Sequence, residues 1–384
     1  MSQKKYQKAL GLFGLVSLGL GGTIGSGIFV VPGIAAGIAG PSSLIAWVLV
    51  AISASCVMIS LAWTASKYPS TGAFYSIFSR VFGKRTSVVL VVLYLISAIF
   101  GNATIAAGLG QYFAFFGFQY ILLIEIMIII LLSLLNLRGV RLSVTAENIL
   151  TTLKTIPLVI ISLLLIPYIQ SSNFVPFYPA GPMDFLKVVI IVYWPFTGFE
   201  ICAIPADETK DQKTIFHSLM IVMAIVIFVY ALLNIALIGS VGSDVLSQSS
   251  APIAAASGLI FKNSEKIVAI IGIIAMLSAL NAYILGSSRV MHNLSSEYKI
   301  PLLRELDEKG IPPATILITA VFSISLLFFS NHFNQLASIS VISTLLPYFF
   351  ICLATYRLFS VPKIKIIAII GAITTLAILI VSFM

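Results

Sequence analysis

The stretch GTIGSGIF, residues 22–29, lies inside an apolar run long enough to cross a membrane, yet it packs Gly22, Thr23, Gly25, Ser26 and Gly27 into six positions. Glycine weakens a helix by about 1 kcal/mol relative to alanine. A glycine cluster at membrane depth therefore predicts a helix that is deliberately broken. Broken backbone is tolerated in lipid only where protein buries it or where it lines a cavity. The stretch thus predicts a ligand site near the bilayer midplane.

The composition sets the class. The 384 residues are 59% hydrophobic and 9% charged, with a mean hydropathy of +1.10. A soluble domain carries about 25% charged residues, so the expected fold class is an all-α polytopic membrane protein. The net charge of +9 would suit nucleic acid, but its distribution excludes that partner. The basic residues gather in short loops on one side of the predicted spans, which is the positive-inside pattern. Cys56, Cys202 and Cys352 lie in apolar runs and read as small buried residues, with no disulfide framework. His217, His292 and His332 fall near loops without metal-ligand spacing. No metal and no cofactor is expected. The N-terminal MSQKKYQKALGLFGLV has a basic start before an apolar run, but no small-x-small cleavage site closes a short run, so it reads as an anchor and not as a signal peptide.

Runs of about 20 apolar residues can cross a bilayer. Eleven are predicted, at 9–38 (interrupted), 41–66, 86–116, 119–137, 143–168, 183–205 (interrupted), 215–240, 265–290, 312–330, 334–357 and 363–383. One set of loops holds Lys4, Lys5, Lys8, Lys67, Arg80, Lys84, Arg85, Arg138, Arg141, Lys210, Lys213, Arg289, Lys299, Arg304, Lys309, Arg357, Lys363 and Lys365; the other holds Lys187, Lys262 and Lys266. This predicts a cell-membrane protein with a cytoplasmic N-terminus and an external C-terminus. Segments 68–85 and 295–313 are solvated connectors or short interfacial helices, and 169–182 and 241–264 read as surface loops.

The sixth span repeats the signature of the first. Its kernel Pro195-Phe196-Thr197-Gly198 lies between apolar flanks, and when Gly198 is aligned with Gly25, Pro205 falls opposite Pro32. Matched interruptions in two halves are the sequence pointer to a transporter binding site. The chain then divides into a first repeat (9–168), a second (183–358) and an additional helix (363–383). Five spans is an odd number, so the two repeats run through the membrane with opposite sense. The half-helix beginning near Gly27 offers free amides, with Gly25 and Ser26, to an anion. The half-helix ending near Thr197 offers carbonyls to a cation. Together they fit a zwitterion such as an amino acid.

These motifs carry a resemblance. GTIGSGIF in the first span, Trp194, Phe196, Gly198 and Glu200 in the sixth, PADETKD at 205–211 and SSRVMHNLS at 287–295 resemble the amino acid–polyamine–organocation superfamily, over spans one to ten. Phe100, Gly101 and Asn102, with Trp194 and Glu200, are similar to bacterial arginine/agmatine-type antiporters. The resemblance implies a LeuT-type 5+5 inverted repeat working by alternating access. Members usually carry twelve spans where eleven are predicted here, and the oligomeric state is left open. The substrate set this implies is Ile24, Gly25, Ser26, Gly27, Asn102, Trp194, Phe196, Thr197, Gly198, Phe199 and Asn281, with Trp194 and Phe199 as gates.

Charges inside the spans point to energetics. Lys154 lies about 16 Å along the fifth span from Ser143 at 1.5 Å per residue, too deep for easy snorkelling, and a central lysine costs at least about 2.5 kcal/mol. The resemblance implies that it replaces a sodium ion and bridges the first and eighth spans, through carbonyls around Gly22 and the hydroxyl of Ser278. It would then exchange a proton or act as a fixed charge. Glu200 reads either as a proton-sensitive link or as a cap on freed amides. Glu125 and Glu147 read as structural, Glu147 because it sits near the start of its span. Arg289 anchors the end of the eighth span. The expected function is sodium-independent secondary transport of an amino acid, proton-coupled or exchanging; the alternative is a cationic amino acid or polyamine antiporter. An intramembrane enzyme is a remote reading, since no HExxH, paired aspartates or Ser/His dyad occurs at membrane depth. No ring of charges or carbonyl filter suggests a channel.

Overall fold

The first break falls where the glycines place it. In the computed structural model, which describes residues 10–70, 74–138, 140–178, 181–209, 211, 213–330 and 332–383, helix α1 (Leu12–Thr23) ends at Ile24 and α2 (Ser26–Ala39) begins after Gly25. Ile24 (φ −84°, ψ 86°) and Gly25 (φ −141°, ψ −142°) are both non-helical. A short 3-10 turn leads into α3 (Ser43–Lys67), followed by α4 (Phe74–Phe82), α5 (Lys84–Phe115), α6 (Ile121–Leu137) and α7 (Val140–Leu165). Then come α8 (Pro182–Tyr193), α9 (Thr214–Gln248), α10 (Pro252–Ser257), α11 (Ser264–Glu297), α12 (Pro313–Phe329), α13 (Phe333–Leu358) and α14 (Pro362–Val381).

Each predicted span has a helix or a pair of half-helices as its counterpart. Among the described residues, eight helical stretches are long and apolar enough to cross a membrane, the first of them taking in α1 to α3. The shorter α6 and α12 are also apolar. The protein is an all-α polytopic membrane protein. Residues 4, 5, 8 and 210, which carry predicted loop lysines, lie outside the described residues.

Three stretches differ from the sequence reading. After the second break the chain forms 3-10 turns at 199–202 and 206–208 and no α-helix; Pro205 has no N–H to give and disfavours helix in the residue before it. Residues 241–264 are not a plain loop. Helix α9 continues through a kink at Gly242 (φ 78°) to Gln248, and α10 then buries Ile253, Ala254 and Ala256. The connector 68–85 contains α4, whose Phe74, Ile77 and Phe78 are buried, whereas 295–313 is mostly turns after the end of α11.

The bundle is apolar outside and mixed inside, a hydrophobic core threaded with buried polar side chains. Val48 and Ile52 of α3, Met127 and Leu131 of α6 and Ile366 and Ile373 of α14 face outward. Hydroxyls stitch the interior: Ser97 of α5 donates to Ser340 O and Ser340 of α13 donates back to Ser97 O, both at 2.8 Å. Such interhelical bonds contribute up to about 1–2 kcal/mol in a membrane. Helix α14 lies on α3 and α13, with Gly371 against Cys352 and Cys56. The three cysteines are free and buried.

At the end of the bundle that holds Leu10, three segments are pinned together. Leu10 N donates to Glu208 O at 2.9 Å, and Arg289 Nε of α11 donates to Glu208 Oε1 at 3.1 Å, with both side chains buried. Removing one partner of a buried ion pair costs about 3–5 kcal/mol. Arg289→Ala should therefore melt well below wild type in detergent, and the Arg289→Met/Glu208→Leu pair should recover most of the loss. Equal melting of Arg289→Ala and wild type would show that the pair holds nothing.

Candidate functional site

The two breaks meet. Helix α8 ends at Tyr193, a 3-10 turn covers Trp194–Phe196, Thr197 is extended and Gly198 is left-handed at φ 95°. A Cβ on Gly198 would stand 2.6 Å from Gly22 O, so only glycine fits both the backbone angle and the approach. Gly27 is as tight, since a Cβ there would lie 2.6 Å from Pro195 Cα. Gly25 leaves no room for a side chain against Ala279 of α11.

Side chains tie the breaks to each other. Trp194 Nε1 donates to Ser26 Oγ at 3.3 Å. Its ring packs on Tyr283 with centroids 5.9 Å apart, and the Tyr283 hydroxyl lies 3.1 Å from Thr197 Oγ1. Tyr230 of α9 places one hydroxyl 2.8 Å from Thr23 O and 2.9 Å from Pro195 O, so a single donor serves both cut helix ends. Those carbonyls have lost their helical partners, and in hydrocarbon an unanswered carbonyl costs several kcal/mol.

The carbonyl end of α1 receives a cation. Lys154 of α7 is fully buried; its Nζ donates to Gly21 O at 2.9 Å and to Ser278 Oγ of α11 at 2.8 Å. The ammonium thus sits at the negative pole of a half-helix and joins α1, α7 and α11. The carbonyl it takes, that of Gly21, is one of those around Gly22.

Glu200 is held by three donors. Tyr94 of α5 donates to Oε1 at 3.1 Å, and Tyr348 of α13 and the Gly198 amide donate to Oε2 at 2.6 and 3.0 Å. Phe199 stacks on the same Tyr348 at 5.4 Å.

Other predicted residues lie elsewhere. Asn102 faces α12, donating to Ser323 Oγ at 3.1 Å, while its neighbour Gly101 meets Trp194 and Tyr283. Phe196 turns toward α3 and α9, packed on Trp47 and Tyr230 at 5.9 and 5.2 Å. Asn281 lies with α6 and α7, donating to Glu147 Oε2 and accepting from Asn136 Nδ2, both at 3.0 Å. Ile24 is buried at the break. Glu147, near the start of its span, is fully buried among protein side chains. Tyr94, Tyr230, Tyr283 and Tyr348 gave no sequence signal that separates them from packing aromatics. Among the described residues no cluster of His, Cys, Asp and Glu is placed to hold a metal ion.

Comparison with known proteins adds a family. The family described as Amino acid permease matches residues 10–384. The branched-chain amino acid permease BcaP of Lactococcus lactis is 25% identical over 93% of this chain and 83% of its own length. The inner membrane transport protein YbaT of Escherichia coli is 28% identical over 77% of this chain and 71% of its own. The vacuolar cationic amino acid transporter 8 of Arabidopsis thaliana is 24% identical over 92% of this chain and 63% of its own.

Tyr230→Phe removes the one proton shared by Thr23 O and Pro195 O, of which Thr23 O keeps the Gly25 amide at 3.1 Å. Leaving a buried acceptor unsatisfied costs about 1–3 kcal/mol. The variant should fold but melt below wild type and digest faster at the breaks in limited proteolysis. Unaltered melting and unaltered cleavage would show that the breaks hold together without it.

Proposed function

We propose that this chain, which belongs to the amino acid permease family, is a secondary active transporter that moves amino acids across the cell membrane by alternating access and without sodium. The observation that carries this reading is the pairing of opposite helix poles at the two breaks. The first turn of α2 presents amides whose N-cap, Gly25, has no side-chain cap; an amino acid carboxylate binds there. The end of α8 presents carbonyls at the negative pole, which take the ammonium. Trp194 and Pro195 lie over that first turn through Ser26 and Gly27, so they must move for substrate to enter and leave. Trp194 thereby acts as a gate, and Gly22 against Gly198 as the pivot between the two breaks.

Lys154 supports sodium independence. A sodium ion would need the carbonyl end of α1 and a hydroxyl from α11, and the ammonium already takes both. The charge is part of the protein, so no sodium ion has to accompany the substrate. Transport is then an exchange or is driven by protons.

The substrate is more readily neutral than cationic. Glu200, the carboxylate beside the breaks, is already engaged by Tyr94, Tyr348 and the Gly198 amide. A cationic side chain would have to break that set. The names of the plant relatives favour cationic amino acids, and the two readings separate by which amino acids compete for uptake.

Purified protein in liposomes should take up or exchange an amino acid. Lys154→Ala should cut the rate by roughly tenfold or more, the scale of a lost charge-assisted hydrogen bond, while Gly27→Leu should abolish binding. Full activity of both variants would contradict the proposed site.

A further inference from the structure

Glu147 is the carboxylate that transport leaves unused and that the geometry places most deliberately. It stands on α7 two turns before Lys154, fully buried. Ser278 Oγ lies between the two charges. It accepts from Lys154 Nζ at 2.8 Å and donates to Glu147 Oε1 through a short bond. Asn281 Nδ2 holds Oε2 at 3.0 Å, and Asn136 Nδ2 of α6 holds Asn281 Oδ1 at 3.0 Å. Thr151 adds a hydroxyl 3.1 Å from Oε1. Gly21 packs so closely on this carboxyl that a Cβ would collide with it, and the carbonyl of the same Gly21 takes the lysine. One residue of α1 therefore touches both charges.

We infer that Glu147 carries the coupling proton, through a Lys154–Ser278–Glu147 chain that sets how tightly α1 is held. This rests on the transport reading above. Within the chain one proton can pass without net change: Nζ gives a proton to Ser278 Oγ as Oγ gives its own to Glu147 Oε1, and the ion pair becomes a neutral amine and a carboxylic acid. Uptake of one proton from water by the ion pair gives a different state, an ammonium beside a neutral acid. The ammonium has then lost its counter-charge inside the membrane, where an unpaired charge is costly. The negative pole of α1 at Gly21 becomes its remaining partner. Protonation of Glu147 thus tightens α1 on α7 and deprotonation loosens it, which links a proton to the movement of the break.

Among the described side chains, few other charged groups lie on the elements packed against this chain. Helix α1 has no ionisable residue, and α9 carries His217 and Asp244 only near its ends. Helix α11 carries Glu265, Lys266, Arg289, His292 and Glu297 three turns or more from Ser278, with Arg289 paired with Glu208, and Tyr283, whose hydroxyl lies at Thr197. Helix α6 adds Asn136 here and Glu125 at its far end, against Gly110 of α5. Helix α10 contributes none.

The test is the pH profile of amino acid exchange in liposomes and of substrate affinity by thermal shift, for wild type, Glu147→Gln and Ser278→Ala. Glu147→Gln keeps a side chain of the same shape. Wild-type affinity or rate should change with pH with the slope of one linked proton, up to about tenfold per pH unit. Glu147→Gln should bind and exchange with a flat profile and lose accumulation driven by a pH gradient, and Ser278→Ala should flatten it too. A Glu147→Gln profile that keeps the wild-type slope overturns the inference, as does a wild type that ignores pH, and either leaves amino acid transport standing. If Glu147→Gln folds but does not exchange, its binding profile decides: flat supports the inference and sloped overturns it. Absence of any amino acid transport by wild type is a separate failure, that of the transport reading.

Discussion

A helix cut inside a bilayer leaves carbonyls and amides that hydrocarbon cannot satisfy, and this structure is arranged around answering them. The carbonyl end of α1 is met by Lys154 at Gly21 O and by Tyr230 at Thr23 O. The end of the second interrupted segment is met by the same Tyr230 at Pro195 O and by Thr197 at Trp194 O. The amide of Gly198 is met by Glu200. The first turn of α2 has no side-chain cap, and its amides are left for a ligand's anionic end. A backbone that must be answered by protein when empty and by substrate when loaded is one that binding can move.

The close approaches follow from this arrangement. Gly22 meets Gly198, Gly27 meets Pro195 and Gly25 meets Ala279 with no space for a side chain. The glycines that weaken α1 as a helix are the ones that let two backbones touch, so one residue choice makes both the break and the contact. Bulk at these positions would push the breaks apart before it reached any ligand.

Much of this was legible in the chain. Glycine and proline in long apolar runs located both breaks, depth set Lys154 apart from snorkelling lysines, and the family resemblance implied Ser278 as its partner. What was not legible depended on helix phase. Glu147 read as structural because it sits near the start of its span, and spacing alone did not show that its side chain turns to Ser278 and Asn281. Asn102 and Gly101 are adjacent in sequence but about 100° apart around α5, and it is Gly101 that faces Trp194 while Asn102 faces Ser323. Asn281 lies one turn after Ser278 and therefore shares its face toward α7. The four tyrosines were invisible for a different reason. A tyrosine in an apolar span looks like packing until the carbonyl or carboxylate at its hydroxyl is known.

The central claim is that an ammonium built into the protein takes the place of a cation at the cut end of α1. The direct measurement is the thermal stabilisation of the purified protein by amino acids, with sodium present and with sodium replaced by choline, because a ligand that binds the folded state raises its apparent stability. The account predicts that the same amino acid stabilises the protein to the same extent in both buffers. Stabilisation that appears only with sodium would contradict it.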